Sequence, residues 1–178
     1  MAIRITTRNN KGFTLIELLL YISLLSILLF VIFNFLGLVL QGRVRNQVIA
    51  EVEQQGNQII QTITQSIKNA DLVNFPLQST TSTSLSLQVY NPSLNPTIFD
   101  LAGGQIRITE GTNTPIPLHN NQVVASNLFF YNLSRNLSPD LIYISFDLTY
   151  NSTSSRSEYT YSKTFYSSAE IGKLNLPR

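Results

Sequence analysis

Residues 18–40 (LLLYISLLSILLFVIFNFLGLVL) contain no charged side chain and are interrupted only by Ser23, Ser26, Asn34 and Gly37. As a helix this run is roughly 35 Å long, enough to cross a bilayer core of about 30 Å. A secretory signal has a shorter apolar region, about 7 to 15 residues, closed by a small-residue cleavage site. No A-x-A pattern follows Leu40, so the run predicts one membrane-spanning helix in a lipid bilayer. Arg4, Arg8 and Lys11 precede it and Glu51 and Glu53 follow it, which places the amino end in the cytoplasm; Arg43 and Arg45 reduce that asymmetry.

Beyond Gln41 the chain is dominated by Ser, Thr, Asn and Gln with scattered apolar residues. The formal net charge of +2 becomes −1 once Arg4, Arg8 and Lys11 are set aside. Neither half carries a Lys/Arg stripe interleaved with aromatics, so no nucleic-acid contact is argued. The absence of cysteine excludes a disulfide framework, a thiolate metal site and a Cys nucleophile.

Glu17 is the anomaly. A carboxylate at the start of an apolar run costs on the order of a few kcal/mol unless a cation meets it. Its surroundings, Lys11-Gly12-Phe13-Thr14-Leu15-Ile16-Glu17-Leu18-Leu19, resemble the processing site of type IV prepilins and type II secretion pseudopilins. The resemblance implies a membrane-embedded prepilin peptidase that cuts between Gly12 and Phe13 and methylates the new amino terminus of Phe13. Gly12 offers no side chain to obstruct that cut. Glu17, one helical turn from Phe13, can neutralise the new α-ammonium. The resemblance further implies that it pairs with the amino terminus of a neighbouring subunit. Without such a partner Glu17 reads as an interfacial charge favourable to the helix dipole.

Val48, Ile49, Val52, Gly56, Ile59, Ile60, Ile63, Ile67 and Ala70 recur at steps of three and four, the period of a helix with one buried face. The spacing predicts a helix from about Thr14 to Asp71, ended by Phe75-Pro76, with a break at Gln41-Gly42-Arg43 as the alternative. Many pilins carry a Pro in the apolar half of this helix. This chain has none there, which fits minor, non-repeating subunits.

The remainder predicts strands. Ile142, Ile144, Phe146, Leu148 and Tyr150 alternate with polar and aromatic neighbours, with shorter echoes at Leu85-Leu87-Val89, Ile106-Ile108, Leu128-Phe130 and Tyr159-Tyr161-Phe165. Turn-formers separate them at Asn91-Pro92, Asn95-Pro96, Gly103-Gly104, Asn120-Asn121 and Ser138-Pro139. The expected class is α+β and pilin-like, a long membrane-spanning helix packed on an antiparallel β-rich head. The expected divisions are a cleaved cytoplasmic leader (1–12), the transmembrane half of the helix (13–40), its amphipathic soluble half (41–74) and an extracytoplasmic head (75–178). The stretch from Val123 to Phe130, the long alternating strand and the aromatic strand ending near Ile171 resemble the J-type minor pseudopilin group.

Other candidates point to no chemistry. His119, the single histidine, reads as a surface residue in a polar turn. Asp100, Glu110, Asp140, Asp147 and Glu158 are dispersed, without calcium-loop spacing, so neither a metal nor a cofactor is expected. Serines lack a nucleophile elbow, and no enzyme is expected. Asn132-Leu133-Ser134, Asn136-Leu137-Ser138 and Asn151-Ser152-Thr153 match a glycosylation acceptor pattern by composition. The tyrosines and phenylalanines of the head read as sheet packing, with a binding platform as the rarer alternative. The expected function is a minor pilin or pseudopilin, a structural subunit of a type IV pilus-like filament or type II secretion pseudopilus. Its expected partners are the prepilin peptidase, other pilins and an inner-membrane assembly platform. A major pilin, or a membrane-tethered module that never assembles, is the alternative.

Overall fold

The computed structural model describes residues 12, 14–135, 140–154 and 156–172. One helix, α1 (Leu15–Asn69), runs unbroken for 55 residues through Gln41, Gly42 and Arg43. Among the described residues nine strands follow: β1 (Leu72–Phe75), β2 (Thr81–Ser82), β3 (Leu85–Gln88), β4 (Thr97–Ala102), β5 (Gln105–Glu110), β6 (Ile116–Pro117), β7 (Val123–Asn132), β8 (Leu141–Tyr150) and β9 (Ser162–Glu170). Every pairing is antiparallel. The class is α+β, a long amino-terminal helix with an antiparallel β head. The chain divides into two units, one ending at Arg43 and one beginning at Val44.

In the first unit, none of the most apolar 18-residue window of α1 is buried. Such a surface is unstable in water and stable in hydrocarbon. In the second unit the same helix has one covered stripe: Val48, Val52, Gly56, Ile59, Ile63 and Ile67 are buried. They join Leu85, Phe99, Phe130, Ile144, Phe146 and Phe165 in one core.

The head is two sheets, β1-β3-β4-β5-β6 and β2-β7-β8-β9. In β8 the buried residues include Ile142, Ile144, Phe146 and Leu148, the alternation that the sequence predicts. Tyr150 is half-buried. The two-residue turn between β4 and β5 needs positive φ at both positions, which Gly103 (60°) and Gly104 (76°) supply. β7 is bulged: Ser126 faces Asp147, Phe129 faces Ser145, and Asn127 in the extra step has φ 52°.

Several contacts hold α1 to the head besides the shared core, among them Asn120 Nδ2 donating to Glu51 Oε1 at 2.9 Å. The Phe165 ring lies where a side chain at residue 56 would be, directly against Gly56, and stacks on Phe146 at 5.6 Å. Lys163 Nζ donates to both carboxylate oxygens of Glu53 at 2.6 and 2.7 Å, and Tyr161 donates to the same group at 3.2 Å. Lys163 holds the Glu53 carboxyl below its usual range against the opposing effect of burial. Gly172 N–H donates to Lys68 O at 3.1 Å, satisfying one of the carbonyls left open at the helix end.

Two expectations need correction. The helix, expected to reach about Asp71, ends at Asn69, and residues 72–74 of the division expected to be helical (41–74) lie in β1, because Asp71 N–H is taken by Gln88 O at 2.8 Å. Pro76 therefore follows a strand. Tyr159, expected in the last strand, lies in a short 3-10 turn (Ser157–Tyr159), and β9 begins at Ser162.

Candidate functional site

The amino end of α1 is built by Thr14, the residue just before it. Leu18 N–H donates to Thr14 O at 3.1 Å, the first helical bond, and Glu17 N–H reaches Thr14 Oγ1 at 3.4 Å. Thr14-x-x-Glu17 is thus the spacing of an N-terminal capping box, with the acidic side chain in the first turn, where the helix dipole favours it. Glu17 is half-exposed, and its Oε1 accepts from the Tyr21 hydroxyl at 3.3 Å, one turn on. The sequence places Thr14 at the start of the helix, and two further spacings are legible there: the capping pattern and the i, i+4 pair of Glu17 and Tyr21.

Among the described residues nothing lies within 4 Å of where a Cβ at Gly12 would stand, so their packing does not require glycine there. Phe13, the expected new terminus and methylation position, lies outside the described residues, as do Lys11 and the rest of the expected leader.

Down the apolar run the polar side chains are absorbed by their own helix. Ser23 Oγ donates to Leu20 O at 2.8 Å, Ser26 Oγ to Ile22 O at 2.8 Å, and Asn34 Nδ2 to Phe30 O at 2.7 Å. With those groups satisfied, the segment is compatible with a solvent that offers no hydrogen bonds. Among the described residues Glu17 is the one carboxylate at its head, and the bond that it accepts from the Tyr21 hydroxyl is long for O–H···O.

Residues 7–33 match the family model of the prokaryotic N-terminal methylation motif. The chain carries the type IV prepilin and pseudopilin signal. The methylation motif covers Gly12, Glu17 and most of the apolar run. It supports a pilin- or pseudopilin-type subunit, a class of structural proteins processed by prepilin peptidase and assembled with other pilins. Together with the uncovered apolar helix, the methylation motif also supports membrane anchoring. No curated protein and no solved structure matches the chain.

The head's candidates fall out differently from expectation in one case. His119 is buried, at 5% exposure. Its Nε2 accepts from Ile106 N–H at 3.1 Å, and its Nδ1 lies 3.0 Å from Asn120 O. The neutral tautomer with hydrogen on Nδ1 satisfies both contacts, so the imidazole acts as a structural acceptor. Of the acids, Asp100 forms a two-pronged bond with Arg107 at 2.9 and 2.7 Å, and Glu158 pairs with Arg156 at 2.6 Å. Asp147 accepts from Thr164 at 2.6 Å and Asn127 at 2.7 Å. Among the described residues no three His, Asp or Glu side chains gather into a metal-sized group. Asn132 is buried with its Nδ2 on Pro76 O at 2.8 Å, a structural role for one of the acceptor-pattern asparagines.

Proposed function

We propose that the protein is a minor pilin or pseudopilin, a structural subunit of a type IV pilus-like filament or type II secretion pseudopilus. In this reading residues 1–12 are a cytoplasmic leader and 13–40 span the membrane. Residues 41–74 carry the helix into an extracytoplasmic head formed by 75–178. Prepilin peptidase cuts between Gly12 and Phe13 and methylates the Phe13 amine. Glu17 then meets that amine on an adjacent subunit, replacing a poorly solvated charge by an ion pair. Head-to-tail contacts of this kind generate open filaments.

The observation that carries the reading is the methylation motif set at the head of an apolar helix segment that no described residue buries. The lack of Pro in the apolar half favours a minor over a bulk subunit. The J-type group is the proposed subfamily, on the resemblance of the last three strands. The decisive experiment is the intact mass of the protein extracted from membranes. A start at methylated Phe13 is expected, whereas a chain retaining residues 1–12 overturns the proposal in favour of a simple tether. Gly12→Val is expected to accumulate as uncleaved precursor, and normal processing of that variant refutes the cut site.

A further inference from the structure

The three long strands β7, β8 and β9 have two unlike faces. Leu128, Phe130, Ile142, Ile144, Phe146, Phe165 and Ala169 point into the core. The alternate positions point the other way, and there Phe129, Tyr131, Tyr143 and Tyr166 stand together. The register puts Phe129, Ser145 and Tyr166 in one row across the sheet and Tyr131, Tyr143 and Ser168 in the next. The rings of Phe129 and Tyr143 are 6.0 Å apart. Tyr166 is 71% and Phe129 36% exposed, while Ser145 between them is only 6% exposed. Solvent-facing sheet positions commonly take Thr, Ser or charged residues. A block of four rings over a covered serine is the composition of an interface core instead.

Charge decides what it faces. Among the described residues the carboxylates on this face of the three strands are Asp147, one row beyond Phe129 and Tyr166, and Glu170, one row beyond Tyr143. They bracket the rings at a separation of roughly 20 Å, counted from the strand rise. No Lys or Arg stands at an outward position of these strands. Lys163, their single cation, points to the opposite face and is held by Glu53. Rings with negative faces between two carboxylates repel phosphate and acidic surfaces and attract cations. Among cations, guanidinium stacks flat on a ring and donates along its edge to a carboxylate, whereas ammonium is a strongly hydrated point charge.

We propose that the outward face of β7, β8 and β9 docks an arginine-bearing surface of a neighbouring subunit, with guanidinium groups stacked on Phe129, Tyr131, Tyr143 and Tyr166 between Asp147 and Glu170. The choice of a neighbouring subunit as the source of arginine rests on the filament reading above. Asp147 is suited to the role because Thr164 and Asn127 fix its carboxylate in place while each takes only one lone pair of an oxygen.

The test uses the full processed chain in detergent micelles, with ring-labelled Phe and Tyr followed by NMR. The probe is the capped peptide Gly-Arg-Gly-Arg-Gly, compared with its Lys and Glu counterparts. Shifts confined to Phe129, Tyr131, Tyr143 and Tyr166, stronger with Arg than Lys and absent with Glu, are expected. Phe129→Ser with Tyr166→Ser should weaken binding roughly tenfold, the combined effect of two exposed cation–π contacts. Tyr166→Phe should retain it, and Tyr90→Ser should leave it unchanged. Equal binding of the Glu peptide, or equal shifts at Tyr90, overturns the proposal. The same serine pair, expressed in cells, should be cleaved normally and enter sheared filaments poorly. Normal entry overturns the neighbouring-subunit assignment while leaving the proposed function standing. An uncleaved wild-type chain that still binds the Arg peptide overturns the proposed function and leaves the face's chemistry standing.

Discussion

Gly56 should behave against the ordinary preference of a helix. Replacing Gly by Ala in a helix interior gains about 1 kcal/mol from backbone entropy. Here the added methyl would occupy the place of the Phe165 ring, touching its three outermost atoms. That ring has little room to retreat: it is 5% exposed, stacks on Phe146 and carries Lys163 Nζ at 5.0 Å from its centroid. Overpacking of this kind costs about 2–3 kcal/mol. Gly56→Ala should therefore lose about 1–2 kcal/mol net, a fall in midpoint of roughly 3–8 °C for a head of this size. Thermal unfolding of the full chain in detergent, followed by near-ultraviolet circular dichroism of the head's tyrosines, reads it. Phe165→Leu removes the obstruction, so Gly56→Ala in that background should become neutral or stabilising, and the double-mutant cycle isolates the contact. A higher midpoint for Gly56→Ala alone, or an identical loss in both backgrounds, refutes the reasoning.

Further outcomes follow from other contacts. Because Lys163 lowers the folded-state pKa of Glu53, the pair's stabilisation is present above the ordinary carboxylate pKa and is lost as pH falls through the lowered one; Lys163→Met should flatten the acid side of a stability-against-pH curve measured by chemical unfolding. His119→Ala strands the buried Ile106 N–H, which should cost about 1–3 kcal/mol and speed hydrogen exchange at that amide. Glu17→Val should be cleaved normally yet incorporate poorly into sheared filaments, and unchanged incorporation would count against charge pairing.

The helix was legible because its two signals are long: an uncharged run and then a stripe at steps of three and four. The covered residues Val48, Val52, Gly56, Ile59, Ile63 and Ile67 are those the period picks out, with Ile49 and Ile60 at its half-buried margin. β8 was legible for the same reason, ten residues of clean alternation. β1 and β4 were not read. Leu72-Val73-Asn74-Phe75 is four residues long and adjoins a helix, and Thr97–Ala102 follows a proline, so neither offers enough periods to register. That the strands form two sheets was also hidden, since pairing partners are fixed by tertiary packing rather than local pattern. His119 was misread because burial of a polar turn depends on what closes over it, here the Ile106 amide. At the amino end, Glu17 stands out as a charge beside apolar neighbours, while the capping bond of Thr14 and the bond from Tyr21 to Glu17 do not, because hydroxyls are ordinary in a chain so rich in them.

The contact between Glu53 and Lys163 joins positions 110 residues apart, and Gly56 and Lys68 likewise wait for Phe165 and Gly172. The stem is thus sheathed in part by a strand that the ribosome makes long after it. During synthesis the upper part of α1 must stand without that part of its cover until β9 has emerged, a non-local closure of the kind that slows folding. A product cut short before β9 would keep its anchor and leave part of that stripe bare, a state that quality-control proteases can recognise without reading any sequence.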